Sequence, residues 1–218
     1  MNQSVKLADK PVKTEGKREA TKRANRKAIL DAARAVFAEL GYGETTVRHI
    51  IRRTGLASGT FYNYFQSKEE VFEALADESA LQIRPALRDA RVHARTFEEF
   101  VEGSFRTFFS FALGDRQYFE MVRRNTGAMR VRMDTPEIVR GFDELEHDLA
   151  EAIRSGLIPP LDLDYLTASM IGIAFEVSDR MLLREELDME GAVHFATHLF
   201  LGGVKALIAQ REAKQNSA

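Results

Sequence analysis

The chain has 218 residues, 44 % of them hydrophobic and 29 % charged, an ordinary water-soluble composition with room for one sizeable domain or two smaller ones. It contains no cysteine, which excludes a disulfide framework, thiol catalysis and cysteine-ligated zinc. The net charge of −2 hides an asymmetry, because residues 1–70 carry 14 Lys/Arg against 8 Asp/Glu while residues 71–218 carry 17 against 25; only the first third is suited to a polyanion.

Residues 1–20 are polar and lysine-rich and read as a disordered basic arm. A helix is expected from Thr21 to Leu40, with Ala28, Ile29, Ala32, Ala33, Val36, Phe37 and Leu40 at helical spacing and Gly41 as its stop. Lys22, Arg23, Arg26 and Lys27 crowd its first turns. Cations there oppose the helix dipole, so a phosphate partner explains them better than helix stability does. A second helix, Val47–Thr54, follows the capping candidates Thr45 and Thr46 and breaks at Gly55. Ser58 is expected to cap a third helix through Phe65, with Phe61 and Phe65 inward and part of Thr60, Asn63 and Tyr64 outward. A fourth starts at Ser67 and is ended or kinked by Pro85.

The period stays helical to the end. Helices are expected over Phe97–Leu113, Gln117–Asn125, from Pro136 to about Ser155, over Leu163–Glu186 and from Met189 to about Arg211. No strand-like alternation of useful length appears. The fold class is therefore all-α: a three-helix unit over 21–66 and a larger helical domain over 67–218. No run approaches the roughly 18 uninterrupted apolar residues of a membrane span, and the N-terminal lysines precede no apolar run; a cytoplasmic protein without a membrane partner is expected.

Two short helices joined by a glycine-containing turn make a helix-turn-helix, which lays its second helix in a major groove. Ser58, Thr60 and Asn63 are of the types that bond base edges or phosphates, and Arg48 can reach either. Gly59 permits close approach, and Tyr62, Tyr64 and Lys68 suit phosphates. With Thr46 these form the expected DNA-binding set. A plain three-helix bundle with a polar third helix is the competing reading.

The segment TTVRHIIRRTGLASGTFYNYFQSKEEVFEALA, Thr45 to Ala76, closely resembles the DNA-binding domain of the TetR family of transcriptional repressors. Its most specific part is Gly59-Thr60-Phe61-Tyr62-Asn63-Tyr64-Phe65 followed by Ser67-Lys68-Glu69; Ala32, Ala33, Phe37 and Gly41 match the family's first helix. The resemblance implies phosphate contacts from Tyr64 or Tyr62 and from Lys68, and base contacts from Arg48, Ser58, Thr60 and Asn63. Ile51 and Thr54 depart from the small alanines common in the family; Thr54 reads as a hydroxyl bonded to its own helix backbone. The resemblance also implies a homodimer through the last two helices on a palindromic double-stranded operator. Leu166, Met170, Ile173, Ala174 and Val177 form one apolar stripe; Phe195, Leu199, Gly202, Gly203 and Ala206 form another.

Residues 97–142 hold eight of the fifteen phenylalanines, enough to line an elongated apolar pocket or to fill a core. Phe105, Phe109, Phe119, Met170 and Ala174 are the expected pocket wall, and Arg123, Arg124 and Asn125 its polar mouth. The order of elements loosely resembles family members that sense fatty acyl groups, so an acyl effector is expected. A cationic effector held by Glu120, Glu176 and Asp179 is the alternative, as is an activator or a DNA-binding protein without a ligand. No catalytic residue, cofactor or metal site is expected. The five histidines form no zinc pattern, His194 and His198 lack a catalytic glutamate arrangement, and no phosphate loop or nucleophile elbow is present.

Overall fold

A computed structural model of the chain describes residues 16–124, 135–158 and 160–215. The first helix, α1 (Lys17–Glu44), begins one turn before Thr21, because Lys17, Arg18, Glu19 and Ala20 are all good helix formers. The end of the anticipated arm is thus helical, and residues 1–15 lie outside the described ones. Gly41 takes φ 80°, a backbone state that glycine adopts without strain, and breaks the helix shortly before its end. Thr45 then closes the turn with its hydroxyl on the Gly41 carbonyl at 2.6 Å.

The next helix, α2 (Val47–Thr54), is capped by Thr46, whose hydroxyl accepts from the His49 amide while the His49 ring accepts from the Thr46 amide. That reciprocal pair satisfies two orphan amides. Thr54 bonds the Ile51 carbonyl at 2.8 Å and accepts from the Leu56 amide at 3.0 Å, so its hydroxyl is satisfied locally, as expected. Helix α3 (Ser58–Tyr62) is shorter than the sequence suggests. Ala57, not Ser58, holds the cap position, and residues 63–65 form a turn that folds back on the Phe61 carbonyl.

Helix α4 (Lys68–Val92) starts at the Ser67 cap and runs on through Pro85. Proline removes one backbone bond of the ladder, yet the helix continues, with Ile83 and Arg91 buried on either side. Then come α5 (Phe97–Gly114), α6 (Arg116–Arg124), α7 (Pro136–Arg154), α8 (Leu163–Leu182) and α9 (Met189–Gln215). Thr135 does not cap α7. Instead Asp77 of α4 accepts from the Glu137 amide at 3.1 Å, so a side chain from a neighbouring helix satisfies one orphan donor. Among the described residues every regular element is a helix.

Two apolar clusters organise the chain. One joins α5, α7, α8 and α9 around Phe105, Phe109, Leu149, Met170 and Phe200. The other holds Ile29, Phe37, Ile50, Phe61 and Phe72, and it also takes in Tyr118, Phe119 and Met121 from α6. The helix-turn-helix unit therefore shares its core with α6 of the larger helical part. A polar contact fixes the same seam. Arg34 of α1 reaches Asp115 at 2.5 Å and Glu78 of α4 at 3.3 Å, with its guanidinium 5.9 Å from the Tyr118 ring centre. Asp115 also accepts from the Tyr118 amide at 3.2 Å and so caps α6.

On α9, Phe195, Leu199 and Leu207 are more than half exposed, and a side chain at Gly202 or Gly203 would meet nothing within 4 Å. The α8 stripe differs from expectation in that Leu166 and Met170 are buried inside the protomer. Tyr165 is exposed and Ile173, Ala174 and Val177 are half-buried, so α8 still presents apolar surface beside the α9 stripe. Residues 189–211 are also long and apolar enough to cross a membrane by composition alone, a property this exposed stripe accounts for.

Replacing Arg34 by Met leaves Asp115 and Glu78 without their cation at a largely buried junction. A loss of about 1–3 kcal/mol is expected, the usual range for charged hydrogen bonds. Urea unfolding of Arg34→Met against wild type measures it, and an unchanged midpoint refutes the role of this contact.

Candidate functional site

Two places on the molecule gather the residue types that bind ligands. The first is the face carrying α2 and α3. Thr46, Arg48, Ser58, Gly59, Tyr62 and Asn63 are all exposed there, and Thr60 and Tyr64 are half-buried. Phe61, by contrast, is buried and anchors α3 to the core. A side chain at Gly59 would meet nothing within 4 Å, so internal packing does not require glycine at that position. Leu56 is half-buried in the turn between the two helices.

A groove continues this face onto α1. It is lined by Lys17, Arg18, Thr21, Lys22, Asn63 and Tyr64. Arg26 lies beside it, with its guanidinium 5.5 Å from the centre of the Phe65 ring. The cations at the start of α1 thus stand next to the end of α3, which a phosphate backbone along this face would span. Sequence reasoning missed Lys17, Arg18 and Thr21 because it assigned or abutted them to an unstructured arm. The helix-forming run KREATKRANRKA was the available signal.

Lys68 has a structural part that its motif does not reveal. Its ammonium donates to the carbonyls of Tyr42 at 2.7 Å, Thr45 at 2.8 Å and Gly43 at 3.3 Å, and it lies 4.5 Å from the centre of the Tyr42 ring. Three protons meet three acceptors, so Lys68 pins the α1–α2 loop to the start of α4 and has no donor left for a phosphate. Tyr42 in turn donates to Glu69 at 2.7 Å. Burial raises the Glu69 pKa, but the hydrogen bonds from Tyr42, its own amide and Ser67 outweigh it and hold the carboxyl below its ordinary value.

The second place is a cavity of about 130 Å³ enclosed by α4, α5, α6, α7 and α8. Phe105, Phe119, Met170 and Ala174 line it as expected. Phe109 does not; it is fully buried and stacks on Phe105 at 5.9 Å, as a core residue. Arg123 points to solvent from α6 and is no part of the wall. The side chain of Arg124 and all of Asn125 lie outside the described residues. The α4 wall consists of Ala76, Ser79, Ala80, Ile83, Arg84, Leu87 and Arg91. These are spaced three and four apart, so the cavity follows one helix face for about 22 Å at 1.5 Å per residue.

The cavity holds a few polar groups the sequence did not single out. Tyr118 is buried, and burial above all pushes its phenol up to about 12, with a hydrogen bond to Ser79 acting the other way; it stays neutral. Arg84 lies between Glu137 and Glu144. The Glu144 hydrogen bond is the main reason the Arg84 pKa is raised and the Glu144 pKa lowered. Arg91 is paired through Nε to Asp148 at 2.6 Å, with its side chain 4 % exposed. These signals were unreadable because α4 and α7 are far apart in sequence. Among the described residues no group of three or more His, Asp or Glu side chains is placed to hold a metal.

Residues 29–75 match the family described as bacterial regulatory proteins, tetR family. The chain is 26 % identical over 181 residues to the fatty acid metabolism regulator protein of Bacillus subtilis (strain 168), a match covering 81 % of this chain and 93 % of that one. Among solved structures, the fatty acid degradation regulator FadR from Bacillus halodurans superposes with a TM-score of 0.71 at 24 % identity, covering 87 % of this chain and 97 % of its own. The transcriptional regulator FadR from Bacillus subtilis in complex with stearoyl-CoA superposes with a TM-score of 0.68 at 25 % identity, over 81 % and 98 % of the two chains.

The Lys68 contacts make a stability statement that needs no DNA. Lys68→Met removes three charged hydrogen bonds from a partly exposed loop, and a loss of about 1–3 kcal/mol is expected. Denaturant unfolding without DNA reads it directly. A variant as stable as wild type but deficient in DNA binding would return Lys68 to the phosphate role.

Proposed function

We propose, for a chain that belongs to the tetR family of bacterial regulatory proteins, that it is a transcriptional repressor which binds a palindromic operator as a dimer and is released by an elongated, mostly apolar effector of the fatty acyl class. The observation that carries this reading is the double membership of Phe119. It lines the cavity and belongs to the cluster that seats α1 and α3. Phe108 stands beside it, 5.9 Å away and edge-on, and packs at 5.0 Å on Phe175 of α8. A guest that displaces these rings must move α6, and α6 is tied to α1 both by packing and through the Arg34 contact.

The operator side follows from symmetry. A two-fold axis at α9 presents two α3 helices to successive major-groove faces, with half-sites about 34–36 Å apart. Asn63, Thr60, Ser58 and Arg48 then meet base edges, while Tyr62, Tyr64, Thr46 and the start of α1 meet phosphates. Release requires that the effector bind the displaced arrangement more tightly than the operator-bound one, with a coupling of about 1–3 kcal/mol. The similar fatty acid regulators described above, one of them in complex with stearoyl-CoA, support the acyl class. A cationic effector has less to recommend it, since Glu120, Glu176 and Asp179 are not in the cavity wall.

Two outcomes are expected. Replacing Lys17 and Lys22 by Ala weakens binding to all duplexes alike and lowers the slope of log K against log salt by about 1 per lost phosphate contact, whereas Asn63→Ala changes which operator is preferred. Salt-dependent titrations on a selected operator and a random duplex distinguish the two. Long-chain acyl compounds added to the protein–operator complex release the DNA, as read by fluorescence anisotropy. Retention of the complex with every acyl compound, together with release by a polar or cationic compound, refutes the acyl class and leaves the DNA-binding reading intact.

A further inference from the structure

We infer that Arg91 is the anchor for the polar head of the effector, and that the head is a free carboxylate buried in the cavity. The inference rests on the acyl reading above and deepens it. Arg91 stands near the C-terminal end of α4, in the wall of the cavity, with a side chain only 4 % exposed. A guanidinium offers five N–H donors in a rigid fork. Here Nε alone is bonded, to Asp148 at 2.6 Å. Among the described residues neither Nη nitrogen makes a hydrogen bond. Neither Nη is among the fully buried polar atoms that lack a partner, so water-sized space still reaches them from the cavity side, where a guest's acceptor can replace that water.

The other cations near the cavity are already engaged. Arg84 is held by Glu137 and Glu144 on α7, and a Cβ at Gly141 would stand 3.7 Å from its stem. Arg123 faces solvent. The Ser104 hydroxyl beside Arg91 gives its proton to the Phe100 carbonyl at 2.7 Å. Arg91 is thus the group whose donors remain for a guest. Its two Nη nitrogens match the two oxygens of a carboxylate, the planar fork geometry that makes Arg–carboxylate pairs strong. From Arg91 the cavity runs along the α4 face to Ala76, bounded by Phe105, Phe108 and Phe119, so an acyl tail pointing away from Arg91 ends against the rings shared with the α1 core. The order of parts is head at Arg91, tail at the switch. A coenzyme A thioester cannot use this anchor, because its bulky, highly charged head would have to fit beside a side chain that solvent barely reaches.

Titration calorimetry with hexadecanoate, its methyl ester and its coenzyme A thioester tests the assignment. Wild type is expected to bind the acid about tenfold or more tightly than the methyl ester, the scale of a charged hydrogen bond. Because Arg91→Gln alone leaves Asp148 unpaired, the double variant Arg91→Gln/Asp148→Asn is compared, its helix content and urea midpoint being checked first. That variant is expected to lose the preference for the acid over the ester. If its fold is lost, Arg91→Lys gives the same comparison, since an ammonium keeps the charge and loses the fork; a weakened preference for the acid is expected. A variant that still prefers the acid as wild type does overturns the inference. Tighter wild-type binding of the thioester than of the acid overturns it too, and leaves the acyl reading standing. Binding of none of the three overturns both.

Discussion

The arrangement depends on a single guanidinium at the seam between two helical units. Arg34 projects from α1, meets Asp115 at the α5–α6 junction and Glu78 on α4, and lies near the Tyr118 ring. Its side chain is 14 % exposed, so the charge is costly to bury unless both carboxylates stay where they are. Asp115 has a second duty as the acceptor for the first turn of α6. The start of α6, the flank of α4 and the middle of α1 are thereby fixed to one another at one point. Apolar packing of Tyr118, Phe119 and Met121 with Ile29 and Phe37 adds area to that point, and the ion pair adds direction.

Around this seam the aromatic side chains form a path. Phe175 meets Phe108, Phe108 meets Phe119, and Phe119 meets Phe111 and Tyr118, mostly edge-on at 5.0–6.2 Å. Such contacts are stiff because protein interiors are packed to crystal-like density. The cavity of about 130 Å³ lies below the 300–1,000 Å³ of common ligand sites, so a long guest enters only by moving its walls.

The parts of this architecture that were legible in the sequence are those governed by local rules. Helical periodicity, the Thr46 and Ser67 caps and the break at Gly55 placed the helix-turn-helix to within a few residues. Phe105 and Phe119 were legible as wall candidates because large aromatics recur there at helical spacing, and Met170 and Ala174 because small or flexible residues interrupt the facing helix. Phe109 shows the limit of that rule, since periodicity does not say which of two inward neighbours borders a void. Arg123 and Arg124 were chosen for nearness in sequence, whereas Arg91 and Arg84 reach the cavity through the packing of α4 against α7, about fifty residues away. The carbonyl partners of Lys68 could not be read, because a lysine at a helix start has the same local signature whether its acceptors are phosphates or backbone carbonyls.

Pro85 has a mechanical meaning within α4. It has no amide to give the Leu81 carbonyl, so the helix is missing one rung between the stretch that carries Arg91 and the stretch that ends at Lys68. The 17 residues from Lys68 to Arg84 form an arm about 25 Å long at 1.5 Å per residue. Each degree of rotation at the missing rung carries the Lys68 end through about 0.4 Å on that length, and the α1–α2 loop travels with it because the Lys68 ammonium grips three of its carbonyls. A shift too small to disturb the core at the pivot thus becomes a change in aim at the far tip, with gain set by the position of the proline along the arm.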